Sequence, residues 1–181
     1  MRPIHPQVLT IPRVTVRVRP ATGQDADAIA AVHVGSWQSA YAGLLPADFL
    51  AGLDLNDRAA RWRKLLADSS GTTLVAESAE RVVGFVSVGP DPDRPDTTSG
   101  AVYALYAEAA RWGEGVGHAL HGAGMQTLRN QGYTAARLWV LQGNLRAASF
   151  YERHGWRLDG REQTDRQLVG ELNEVGYSRR L

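Results

Sequence analysis

The chain contains no cysteine in its 181 residues, so disulfides, thiolate metal sites and cysteine nucleophiles are excluded, and thiol pairing carries no information about redox compartment. Lysine is almost missing as well. Lys64 is the single one among 20 basic residues, a bias that reads more readily as codon usage than as anion recognition. An excess of either charge is also lacking: against 19 acidic residues the net charge is +1, and the arginines are scattered instead of forming a stripe that could follow a phosphate backbone. No nucleic-acid partner is expected. No apolar run is long enough to span a bilayer, and residues 1–12 lack the h-region and cleavage site of a secretory signal, so the expectation is a cytoplasmic protein without a membrane partner.

What remains, 44% hydrophobic and 22% charged residues, is the composition of an ordinary globular domain, and the length suits one domain better than two. Residues 1–13 carry three prolines and no periodicity. They read as an extended tail, a candidate for packing on a second subunit in a homodimer, ahead of a single domain over 14–181. Alternation predicts a first strand at Val14–Val18, ended by Arg19-Pro20. Helices are expected over Gln24–Val34 and, as a broken second stretch, over Trp37–Tyr41, Ala47–Leu50 and Asp57–Ala67. Thr73–Glu77 and Arg81–Val88 read as an antiparallel hairpin, Pro90–Gly100 as a polar loop, and Ala101–Ala107 as the fourth strand.

Gly115–Arg129 follows as a helix with Val116, Leu120, Gly124 and Leu128 on one face, then a strand at Arg137–Leu141 and a helix at Asn144–His154. Short strands at Trp156–Asp159 and Glu174–Ser178, separated by a polar loop holding Glu162 and Asp165, close the pattern. The order β-α-α-β-β-β-α-β-α-β-β describes an α/β chain with a mixed sheet.

Between the fourth strand and its helix lies Trp112-Gly113-Glu114-Gly115-Val116-Gly117. Unpaired N–H groups and the dipole at a helix start favour an anion, and glycine lets the backbone approach a phosphate closely. Alone, the turn is equally well read as a plain glycine-rich connection. It fails the dinucleotide pattern, having no third glycine in register, and the P-loop pattern, the one lysine being far away. His118 and His121 stand three apart on the following helix without further ligands nearby in sequence, so no metal site is expected.

The second half of the constellation is Asn144-Leu-Arg-Ala-Ala-Ser-Phe-Tyr151-Glu-Arg-His-Gly-Trp156. With it, the chain resembles the GCN5-related N-acetyltransferase (GNAT) family, strongly over Leu105–Trp156 and loosely over the whole element order. The resemblance implies a mixed, mostly antiparallel sheet flanked by helices and splayed between the fourth and fifth strands. It implies acetyl-CoA as co-substrate, with pyrophosphate on Trp112, Gly113, Glu114, Gly115, Val116, Gly117 and His118, and with the pantetheine arm along Leu105, Tyr106 and Ala107. Asn144 would bond that arm, and Tyr151 would also serve as general acid for the departing thiolate while a backbone N–H near the strand end holds the oxyanion.

The family's strand glutamate has no counterpart in Arg137–Leu141, which leaves Glu174, Glu108 and His33 as candidate bases. Trp112 stands where Gln or Arg is usual and Ala109 where proline is common, which puts phosphate affinity in question. Trp37, Tyr41 and Phe49 offer an aromatic wall for an amine-bearing small molecule, or else part of the core. The alternatives to a small-molecule acceptor are a protein N-terminus or lysine, and a non-catalytic acyl-CoA sensor.

Overall fold

The computed structural model describes residues 15–68, 70–95, 98–165 and 172–181. The tail over 1–13, the start of the predicted first strand at Val14 and residues 166–171 of the loop expected before the last strand lie outside the described residues. Strand β1 (Arg17–Pro20) leads into α1 (Ala26–Ala40), α2 (Ala47–Ala51) and α3 (Leu55–Ala67). Strands β2 (Thr72–Ser78), β3 (Arg81–Pro90) and β4 (Ser99–Ala107) follow, then α4 (Val116–Asn130), β5 (Ala135–Leu141), α5 (Leu145–Arg153), β6 (Arg157–Asp165) and β7 (Leu172–Arg180).

The seven strands make one sheet in the order β1-β2-β3-β4-β5-β7-β6, antiparallel at every step except β4–β5. One core cluster packs α4 and α5 on the first face through Val116, Leu120, Leu128 and Tyr151. A second packs α1 and α3 on the other through Ile29, Val32, Trp62 and Phe85. Gly84 on β3 sets the approach of α4, because a Cβ there would lie 2.9 Å from Leu120 Cδ1 and 3.0 Å from Val116 Cγ1.

Several boundaries differ from expectation. The first helix does not stop at Val34 but runs through Gly35 to Ala40, so that His33 and Trp37, four apart, share one face. Strand β1 continues through Pro20, paired with Leu74; at a sheet edge the missing N–H removes no ladder bond. β3 and β4 run into the expected loop as far as Pro90 and from Ser99. β6 and β7 are likewise longer than predicted, which puts Glu162 in a strand opposite Val175.

The expected splay is present. Parallel pairing of β4 with β5 consists of Ser99 with Ala135, Gly100 with Ala136 and Ala101 with Arg137, and stops there. Just beyond it β4 carries one extra residue, Tyr103, between the partners of Ser87 and Val88. Such a bulge bends its strand and increases the local twist.

Candidate active site

The opening between β4 and β5 is the throat of a cavity of about 950 Å³ that runs through the sheet. Its β4 wall presents main chain. Glu108 N–H donates to Val83 C=O at 2.9 Å, and because antiparallel pairing alternates, the N–H and C=O of Leu105 and Ala107 point away from β3 toward the opening. Ala107 C=O accepts from Ser36 Oγ at 3.0 Å and from Trp112 Nε1 at 2.9 Å.

At one end lies the glycine turn. Gly113 and Gly115 take φ of 87° and 93°, in the left-handed region that favours glycine. The first helical bond of α4 runs from Ala119 N–H to Gly115 C=O at 3.0 Å, leaving the N–H groups of Val116, Gly117 and His118 as free helix-start donors. Two side chains of the turn do not reach the cavity: Val116 is buried in the core, and Glu114 pairs with Arg111 at 3.1 Å. Trp112 does line it, with the Arg146 guanidinium 3.8 Å above the ring.

From α5, Asn144 and Tyr151 both face the cavity. Asn144 is the N-cap, its Oδ1 accepting from Ala147 N–H at 3.1 Å, which leaves its amide N–H groups as donors. Tyr151 is 8% exposed. Burial, and after it the Tyr106 hydroxyl, push its phenol above the usual range, so it stays protonated at any working pH.

The opposite end is aromatic. The Tyr41 and Tyr106 hydroxyls are 3.1 Å apart, and His33 stacks on Tyr106 with centroids 4.9 Å apart. Trp37 packs edge-on against Tyr41, with its Nε1 buried and facing the Tyr106 hydroxyl without a well-formed hydrogen bond. Phe49 packs in a small apolar cluster with Leu45 and Leu50 and does not line the cavity. Burial pushes Tyr41 and Tyr106 upward, and Glu174 on β7 adds to both shifts. Glu174 lines the cavity opposite Leu141 of β5, and its Oε2 accepts from Gln163 Nε2 at 2.6 Å.

His33 is brought to the cavity but not as a base. Its Nδ1 accepts from Trp62 Nε1 at 3.1 Å, so Nε2 carries the hydrogen, and the neutral ring has no second lone pair to offer. Burial, then Arg58, depress its pKa to about 3. Glu108 is held by Arg81 at 3.1 Å and lies outside the cavity. Among the described residues no group of three or more His, Asp or Glu could hold a metal. His121, on the buried face of α4, accepts from Trp156 Nε1 at 2.9 Å, while His118 lies 2.9 Å from His154 at the cavity wall.

Sequence reasoning missed Ser36 and Arg146. Arg146 sits inside the Asn-to-Tyr motif, where it reads as a spacer, and only the structure lays it on Trp112.

Residues 37–156 match the pattern of the Acetyltransferase (GNAT) family. The chain is similar to an uncharacterized N-acetyltransferase of Bacillus subtilis, YuaI, at 31% identity over 71% of this chain and 73% of that one. A mycothiol acetyltransferase of Jonesia denitrificans is 38% identical over 55% of this chain and 31% of its own length. In fold, a PaiA N-acetyltransferase from Thermoplasma acidophilum, solved in complex with coenzyme A, superposes with a TM-score of 0.75. That match has 17% identity and covers 92% of this chain and 99% of the other.

Proposed function

Since the chain belongs to the GNAT family of acetyltransferases, we propose that it moves an acetyl group from acetyl-CoA to a primary amine of a small molecule. The observation that carries this reading is that one cavity collects the turn, the free edge of β4, Asn144, Tyr151 and Glu174. The donor set fits the carrier: helix-start N–H groups for pyrophosphate, the main chain of Leu105 and Ala107 for pantetheine, and the Asn144 amide for the arm's carbonyl. Bound there, acetyl-CoA would supply the reactive thioester.

The protein's own part is to position two reactants and move protons. An ammonium of pKa about 10 is neutral in roughly one molecule per thousand at pH 7, a handicap of about 4 kcal/mol. Glu174 takes that proton, with the Tyr41 hydroxyl beside it on the acceptor side. Tyr151 donates toward the departing sulfur. With its phenol held high by burial, full transfer before the bond breaks would be steeply uphill, so the donation accompanies thiolate departure. Trp37 and Tyr41 form the wall for the acceptor, and His33 keeps Tyr106 in place. The part-length similarity to mycothiol acetyltransferases supports a small-molecule acceptor. Among the described residues no helix is long and apolar enough to cross a membrane, and a cytoplasmic location completes the reading.

The test is thiol release from acetyl-CoA with polyamines, aminoglycosides, amino-acid analogues and peptides, using wild type and Tyr151→Phe. The expected result is turnover with one of the small amines, and a loss of about 100-fold in kcat in the variant with little change in coenzyme A affinity. Turnover with peptides alone would move the acceptor class to proteins. Tight acetyl-CoA binding with no thiol release from any acceptor would overturn the reading.

A further inference from the structure

The turn's backbone N–H groups carry only partial charge, whereas coenzyme A brings a pyrophosphate and a ribose 3′-phosphate. The cation nearest in sequence, Arg111, is already neutralised by Glu114 at 3.1 Å. Two others are not. Arg146 and Arg153 line the cavity from α5, and among the described residues neither has an ion pair or a side-chain hydrogen bond. They are seven residues apart on one helix, hence on one face and separated by about 10 Å along the axis.

Two like charges left unpaired on one wall raise each other's cost unless an anion arrives. Arg146 shows that strain: partial burial, and then Arg153, lower its guanidinium below the usual range. Its position is nonetheless built, because the guanidinium carbon lies 3.8 Å from the centre of the Trp112 ring and Trp112 is tied by its Nε1 to Ala107 C=O. The tryptophan that replaces the expected Gln or Arg therefore does not leave the turn without a cation. It holds one borrowed from α5.

Resting on the acetyl-CoA reading above, we propose that Arg146 and Arg153 form a cationic rail along α5 that binds the 3′-phosphoadenosine end of the carrier. The rail selects coenzyme A over carriers lacking that phosphate. Arg146 works as a planar donor held by the indole face, and Arg153 as the outer charge two turns further on.

Calorimetric titration with coenzyme A and with 3′-dephospho-coenzyme A tests this in wild type, Arg146→Ala, Arg153→Ala and the double variant. Both arginines are exposed, so the fold is retained, and circular dichroism checks it. Wild type is expected to prefer coenzyme A at least tenfold, each single variant to lose about threefold of that preference, and the double variant to bind both nucleotides within twofold. Coenzyme A affinity should also depend less on salt in the double variant. Equal wild-type affinities, or a preference that survives in the double variant, would overturn the rail. If wild type binds neither nucleotide, the carrier reading itself fails, a result distinct from either.

Discussion

Lowering the pH from 7 to 5 should cost the fold about 4 kcal/mol, through two histidines on opposite faces of the sheet. His33 and His121 are 9% and 5% exposed, and each accepts an indole N–H, from Trp62 and Trp156 respectively. Protonation would set two N–H groups facing each other at a buried site. Burial is the leading cause that lowers both pKa values to about 3, with nearby cations adding to it. In the unfolded chain the same rings titrate near 6.5. Their contribution is therefore complete above that pH and is lost progressively as the pH falls from 6.5 toward 3, because the unfolded state binds the extra protons. At pH 5 the unfolded chain gains about 2 kcal/mol per ring. Urea unfolding followed by tryptophan fluorescence at the two pH values measures the difference. His33→Asn and His121→Asn should each halve it, whatever they do to stability at pH 7. A difference under about 1 kcal/mol in the wild-type protein, or one untouched by either variant, would refute the argument.

Two further outcomes follow from the packing around the cavity. Gly84→Ala would press a methyl group against Leu120, Val116 and the Tyr106 carbonyl, so a loss of about 1–3 kcal/mol in thermal unfolding is expected, with weakened coenzyme A binding as α4 shifts. Asp25 accepts from both terminal nitrogens of Arg19 at 2.8 Å, and that contact, with those to Thr22, holds its carboxyl at about 2 despite burial. Its contribution is present above pH 4 and lost as the pH falls toward 2, so Asp25→Asn should lower stability by about 2 kcal/mol at pH 7 and by far less at pH 2.

Much of the site was legible in one dimension because the proposed carrier is long and the contacts proposed for it are local in sequence. The turn, the Asn144-to-Tyr151 spacing and the strand end are each short motifs on separate elements, and the sheet brings them to one throat. The splay was legible only through the family's shape. What the sequence could not convey depended on partners far along the chain. His33 read as a free imidazole until Trp62, 29 residues away, took its lone pair. Trp112 read as a weakened phosphate contact, whereas its ring is the platform for Arg146, 34 positions later. Helix α1 was cut short at Gly35 because glycine opposes helix locally, and packing of α1 on α3 and the sheet outweighs that preference.

The seam between β4 and β5 gives this sheet a lever. Strands β1 to β4 and β5 to β7 are joined by three residue pairs at Ser99–Ala101, and from that vertex the free edge of β4 runs six residues to Ala107, about 20 Å. A rotation of about 3° at the vertex would therefore change the width at the mouth by about 1 Å. Gly100 sits at the vertex, where an added Cβ would come within 2.7 Å of Leu128. The angle of the whole opening is set there, by close packing at a residue that does not line the cavity.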